Sequence, residues 1–226
     1  MSRRATSLTP AYFAGLYAAD SDPWRFATSD YERGKYAATL DALPRARYGS
    51  VLEVGCSIGV LTRALAPRCD ALLALDVAEA ALDQARARCA DAAHVRFACR
   101  RVPEDWPAGT FDLILLSEVV YYLDAEDVGR LVGRLRAALA PGGDIVLVHW
   151  TGETDYPLSG DEAAERVIAG ARDFAAIGHQ ARADAYRLDV LSRSDAYSCA
   201  SSAAAMAARS AGSGPSAIGR LARRYQ

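Results

Sequence analysis

The stretch Val51-Leu52-Glu53-Val54-Gly55-Cys56-Ser57-Ile58-Gly59, read together with Leu72-Leu73-Ala74-Leu75-Asp76, decides the fold. An apolar run closes on an acid, Glu53, and a turn with glycines at 55 and 59 follows. Val60, Leu61, Ala64 and Leu65 then recur at helical spacing until Pro67 breaks the pattern. A second apolar run ends in another acid, Asp76, 23 residues after Glu53. Strand, glycine turn, helix and strand in that order predict the front half of a doubly wound, Rossmann-like α/β sheet.

The same unit implies a ligand. Gly55 and Gly59 let the backbone turn sharply and approach a bound molecule closely. A helix beginning near Ile58 aims free N–H groups and the positive end of its dipole at that molecule. Asp76, at the tip of the second strand, can accept both hydroxyls of a ribose. The turn is not the dinucleotide fingerprint, because Ser57 stands where a second glycine would let a pyrophosphate approach. Glu53 would repel a pyrophosphate and suits a cationic, amine-bearing cofactor. S-adenosyl-L-methionine (SAM) has that character, with a sulfonium, an ammonium and a ribose for Asp76.

Composition bounds the rest. A chain of 226 residues, 51% hydrophobic and 24% charged, reads as one soluble globular domain. A net charge of −2 gives no nucleic-acid footprint. Cysteines 56, 69, 89, 99 and 199 are odd in number and form no C-x-x-C pair, which points to free thiols in a reducing, cytoplasmic setting. Cys56 at a predicted helix N-terminus has either a lowered pKa or the plain role of a small residue in a tight turn. Arg3 and Arg4 are followed by Ser, Thr and Pro rather than an apolar core, so no signal peptide is read. No uncharged apolar run reaches the roughly 20 residues of a membrane span. His94 and His179 lack partners at metal-ligand spacing, so no metal site is expected.

Along the chain, residues 1–48 form a helical cap, 49–195 the core, and 196–226 a low-complexity tail expected to be mostly disordered. The cap is rich in aromatic residues, among them Tyr12, Phe13, Tyr17, Trp24 and Phe26. Ser29-Asp30-Tyr31-Glu32 has the form of a capping box, and Tyr36, Leu40 and Leu43 mark one face of the helix it opens. The core continues with a helix over 78–90 and strands at 94–99 and 111–117. A helix follows, opened by Asp124 and stopped at Pro141-Gly142-Gly143, then a fifth strand at 145–150 and a helix over 161–174. A last strand lies at 187–191, with 180–186 as its hairpin partner.

Several of these stretches together resemble the class I SAM-dependent methyltransferases over about residues 11–192. They are Glu53-x-Gly55-Cys56-Ser57-x-Gly59, Asp76, Phe111-Asp112 through Glu118, and Leu139-x-Pro141-Gly142-Gly143. A narrower resemblance is to the nodulation protein S family, whose members N-methylate the free amine of a deacetylated chitooligosaccharide. It rests on Asp22-Pro23-Trp24, Tyr31-Glu32 with Lys35-Tyr36, and Gly55-Cys56-Ser57-Ile58-Gly59. Ser117-Glu118-Val119-x-Tyr121-Tyr122-Leu123, His149-Trp150 and Asp155-Tyr156-Pro157-Leu158-Ser159-Gly160-Asp161 add to it. The resemblance implies a cofactor site of Glu53, Gly55, Cys56, Ser57, Gly59, Asp76, Val77, Val102 and Ser117, with Trp24 and Lys35 reaching in from the cap. Arg100, Arg101 and Val102 stand where many class members place an acid against adenine, which is a departure from the pattern.

Methyl transfer asks the protein to position a nucleophile, exclude water and keep the nucleophile unprotonated. Glu118 follows the buried fourth strand at the edge where open α/β sheets bind ligands. It is either the group that touches substrate or a carboxylate that caps a helix or orients the cofactor. His149 ends strand five at the same edge and is the second candidate base, or else a satisfied histidine at a strand end. Tyr121 or Tyr122 could line the methyl-transfer funnel or simply pack. Lys35 pairs with the cofactor carboxylate or lies on a solvated helix face. The expected acceptor is a small molecule or oligosaccharide, amine first and hydroxyl second, with a non-catalytic SAM-binding module as the alternative of another class.

Overall fold

In the computed structural model, which describes residues 3–193, the central strands alternate between two buried faces. Ile114 and Leu116 of strand β4 (Phe111–Ser117) face one way, and Leu113 and Leu115 face the other. Leu52 and Val54 of β1 (Tyr48–Val54) share the first face with Ile145 and Leu147 of β5 (Leu139–Trp150). That face is covered by helices α5 (Ala125–Ala138) and α6 (Gly160–Ala171), through Leu131, Leu135, Val167 and Ile168. The opposite face carries Val51, Val146 and Val148 and is covered by Leu61 and Leu65 of α3 (Val60–Leu65). Strands buried on both faces read as near-continuous apolar runs, as these do.

The remaining elements are α1 (Pro10–Ala19), α2 (Asp30–Asp41), β2 (Cys69–Asp76), α4 (Glu79–Arg88), β3 (Val95–Cys99), β6 (Ala176–Arg182) and β7 (Tyr186–Ser192). They complete one seven-stranded sheet of order β3-β2-β1-β4-β5-β7-β6. The pairs β3·β2, β2·β1, β1·β4 and β4·β5 are parallel, whereas β7 runs antiparallel to both β5 and β6. The expected doubly wound sheet is therefore present, with an antiparallel hairpin added at one edge. Strand order reverses at β1, so the C-terminal tips of β2, β1 and β4 meet at one crevice, where such sheets bind ligands.

Four expectations change. The hairpin partner of β7 is 176–182 rather than 180–186, because the turn falls at 183–185. The fifth strand takes in Pro141-Gly142-Gly143: α5 ends at Ala138 and the chain enters β5 at once, with a register shift opposite Phe111. At Ser29 the hydroxyl accepts from Glu32 N at 3.3 Å, but the Glu32 carboxylate turns to Lys35 instead of completing the box. A reciprocal capping box occurs at Ser159 and Glu162, so α6 runs over Gly160–Ala171 rather than 161–174. The low-complexity tail and Cys199 lie outside the described residues.

Candidate active site

A cleft of about 620 Å³ runs across the strand tips. From β2 toward β5 it is lined in turn by Asp76, by Gly55 and Ser57, by Ser117 and Glu118, and by Trp150. The cap closes it from above with Tyr12, Phe13, Tyr17, Trp24, Tyr31, Glu32 and Lys35.

The glycine turn sits on the end of β2. Gly55 N and Cys56 N both donate to the Leu75 carbonyl, at 2.9 and 3.0 Å. Gly55 has φ +83, and a Cβ there would come within 2.1 Å of Val119 Cγ2 and 2.7 Å of the Ser117 carbonyl, so only glycine lets β1 and β4 converge here. Gly59 serves packing: a Cβ would meet the backbone of Ala85 at 2.8 Å. Ser57 adopts φ +49, and its hydroxyl makes a short hydrogen bond with the Tyr17 hydroxyl of α1. A serine in place of the usual glycine thus gives the cap a polar attachment to the turn. Tyr17 in turn packs edge-on against Trp24 at 5.7 Å, and Trp24 stacks on Phe26 at 5.5 Å.

Two acids lie at this end. The Asp76 carboxylate accepts from Ser57 N at 2.9 Å and Ala78 N at 3.0 Å, which fixes its orientation beside the cleft. Burial pushes its pKa up, and the N–H groups of Ala78, Ser57 and Val77 oppose that rise. Glu53 is 0% exposed, and neither carboxylate oxygen has a hydrogen-bond partner. Burial drives its pKa to about 7, with the Thr62 hydroxyl pulling the other way and Asp76 adding to the rise.

The other end is built by Glu118, a residue at φ +55. Its Oε1 accepts from the Lys35 ammonium. Its Oε2 accepts from the Tyr121 hydroxyl at 2.6 Å and from Trp150 N at 2.8 Å. One carboxylate therefore ties together the tips of β4 and β5, the short helical turn Val120–Tyr122 and the cap helix α2. A left-handed backbone at a non-glycine residue costs of order 1–3 kcal/mol and persists where its surroundings over-determine it. Lys35, 2% exposed, also reaches Glu32 at 2.9–3.0 Å, and its ammonium lies 5.3 Å from the centre of the Tyr31 ring.

Of the residues singled out from sequence, eleven line the cleft: Trp24, Lys35, Gly55, Ser57, Asp76, Val77, Val102, Ser117, Glu118, Tyr121 and Tyr122. Four do not. Glu53, Cys56 and Gly59 lie behind the turn, and burial together with Asp76 and Glu53 pushes the Cys56 thiol up rather than down. His149 is 0% exposed, its Nε2 accepts from Val120 N at 3.3 Å, and burial lowers its pKa to about 4. It orders the turn after β4 from within the core and has no surface on the cleft. Lys35, expected at the cofactor carboxylate, is engaged by Glu118 and Glu32. Tyr17 and Glu32 were missed. Glu32 was read as a capping residue, although its i,i+3 spacing to the only lysine was there to be seen.

Comparison with known proteins places this geometry. The profile of Nodulation protein S (NodS) matches residues 16–149, more than half of the chain and every strand from β1 to most of β5. The chain belongs to the nodulation protein S family. Nodulation protein S of Rhizobium tropici is 38% identical over 130 residues, 57% of this chain and 55% of that protein. The Bradyrhizobium diazoefficiens protein is 33% identical over 150 residues, 66% of this chain and 72% of that one. The match to the first of these thus spans little more than half its length. A crystal structure of the N-methyltransferase NodS from Bradyrhizobium japonicum WM9, in complex with S-adenosyl-L-homocysteine (SAH), superposes with a TM-score of 0.70. It covers 81% of this chain and 98% of that one at 24% identity, so it speaks for the class I methyltransferase fold.

SAM, the methyl donor of this family, fits the residues present. The turn brings its backbone to the cleft only because position 55 has no Cβ, and Asp76 offers a carboxylate already oriented by backbone donors. Glu53, buried without a charged partner two residues before that turn, is an acid that a nearby cation would help to ionise and that disfavours a pyrophosphate.

Proposed function

We propose that this chain is a SAM-dependent N-methyltransferase acting on the free amine of an amino sugar, with deacetylated chitooligosaccharide as the first acceptor class. One observation carries the choice of an amine. At the acceptor end of the cleft two carboxylates, Glu32 and Glu118, share a single buried ammonium, Lys35. The cluster has an excess negative charge, and the Tyr31 ring stands beside it, its centre 5.3 Å from the Lys35 ammonium. A low-dielectric site of that sign favours a cation or a group about to become one. The name of the Bradyrhizobium japonicum relative, an N-methyltransferase, supports the same reading.

When bound, SAM supplies a methyl group already activated by its sulfonium. The work left to the chain is to hold the cofactor, with Asp76 toward its ribose and Gly55, Ser57, Val77 and Val102 along its body, and to hold the acceptor dry and in line. The aromatic cap formed by Tyr12, Phe13, Tyr17 and Trp24 excludes water from the reacting atoms.

The test is calorimetric titration with SAM and, separately, NADH, followed by transfer of radiolabelled methyl to deacetylated chitooligosaccharides. Asp76→Ala is expected to weaken SAM binding at least tenfold. It also leaves Ser57 N and Ala78 N without their acceptor, at a cost of about 1–3 kcal/mol in stability. Unchanged SAM affinity would sink the ribose assignment. Transfer to sugar hydroxyls but to no amine would replace the acceptor class, and SAM binding without transfer to any acceptor would favour a binding module.

A further inference from the structure

The reaction proposed above needs a group that relieves the acceptor of a proton, and the two residues the sequence offers for it are occupied elsewhere. His149 is sealed in the core. Glu118 lines the cleft, but both of its oxygens are spoken for, one by Lys35 and the other by Tyr121 and Trp150 N, so neither can take a proton without displacing a donor. Tyr121 donates its hydroxyl to Glu118 and is itself committed. Three carboxylates at this end of the cleft are left: Asp155 pairs with Arg4, Glu153 is exposed on the loop after β5, and Glu32 is the one buried beside the Lys35–Glu118 pair. Glu32 lies on α2, lines the cleft, and receives hydrogen bonds from Lys35 alone among the charged side chains.

Resting on the reading of the chain as an amine methyltransferase, we infer that Glu32 is the proton acceptor for the substrate amine, and that Lys35 and Glu118 are the positioning residues that hold it at the cleft. The step balances as follows. An ammonium acceptor gives one N–H proton to the Glu32 carboxylate, which becomes a carboxylic acid. The freed nitrogen lone pair forms the bond to the methyl carbon as the sulfur–methyl bond breaks, and its electron pair returns to sulfur, leaving a neutral thioether. The proton on Glu32 passes to water when the product leaves. The groups facing Glu32 are Lys35, Tyr31 and Tyr36 from its own helix and Glu118 from the end of β4. Burial raises the Glu32 carboxyl, against the lowering effect of Lys35. Such a raised acid is a better match to an amine near neutral pH than an ordinary carboxylate is.

Glu32→Gln tests this, with Glu118→Gln and Glu32→Asp alongside and thermal melts to confirm folding. In Glu32→Gln, SAM affinity stays within twofold of wild type, while kcat/KM for methyl transfer to deacetylated chitooligosaccharides falls at least a hundredfold at pH 7. The loss is recovered as pH rises above the acceptor's own pKa, because the amine then arrives already deprotonated. Binding of the same oligosaccharide to the SAH-saturated protein weakens at least tenfold at pH 7, a readout independent of turnover. Glu32→Asp, which keeps a carboxylate, retains the wild-type shape of the pH profile at a lower rate, and Glu118→Gln likewise keeps that shape. Wild-type transfer to amines with Glu32→Gln equally active at pH 7, or equally impaired at every pH, overturns the assignment. Should Glu32→Gln fail to fold, an alkaline-rescued profile in Glu32→Asp overturns it as well. A wild-type protein that binds SAM but methylates no amine overturns the parent reading first.

Discussion

Glu53 is a fully buried carboxyl without a charged partner, and that sets a pH dependence. Its folded pKa of about 7 stands above the 4.5 of an ordinary glutamate, so between those values the native chain keeps a proton that the unfolded chain has released. Stability therefore falls as pH rises through that window, by about 3 kcal/mol in all. Glu53→Gln removes the charge. In cofactor-free protein its Tm is expected to match wild type near pH 5 and exceed it at pH 8, measured by thermal unfolding; parallel curves in the two proteins would assign the slope to another group. His149 acts in the opposite sense: with a folded value of about 4 against 6.5, it costs stability as pH falls through that range. That Glu53 mattered was legible from an acid closing an apolar strand. The buried place of His149 was legible too, as the alternative of a histidine satisfied at a strand end. Ile145 and Leu147 point to the α5–α6 side of the sheet, and residue 149 has the same parity.

At the scale of the element, α2 is the helix that sequence periodicity described least well. Tyr36 and Leu40 are only partly buried, whereas the fully packed line is Glu32, Lys35 and Thr39. Those three residues recur at 3 and 4, the spacing of one helical face, but apolar periodicity does not find a face made of polar groups. The helix is docked through ions, so it is vulnerable at one point. Lys35→Met leaves two buried carboxylates facing each other and is expected to cost about 3–5 kcal/mol at pH 7. The deficit should shrink as pH is lowered through the carboxylate range, and Glu32→Gln added to Lys35→Met should recover part of it. Denaturant titrations of the single and double variants check this. A pH-independent loss would mean that the lysine stem, rather than its charge, holds the helix.

Across the whole molecule, the alternation of apolar runs and amphipathic segments fixed the order of strands and helices well, because each unit is local. The relation of cap to core was not legible in the same way. It depends on polar contacts between residues far apart in the chain, among them Tyr17 with Ser57 and Lys35 with Glu118, and no local pattern encodes such a pairing. The second contact gives the chain a native reporter. Lys35 is its only lysine and lies at the seam between cap and core, 2% exposed. An acylating reagent offered to the protein therefore meets one side-chain amine, and that amine reacts only when the seam parts. The rate of acylation at position 35, read by mass spectrometry of arginine-cleaved peptides, becomes a stopwatch for opening. It is expected to be at least tenfold slower than in the unfolded chain and slower again with SAH present. Labelling at the unfolded rate would mean that the cap stands away from the sheet in solution.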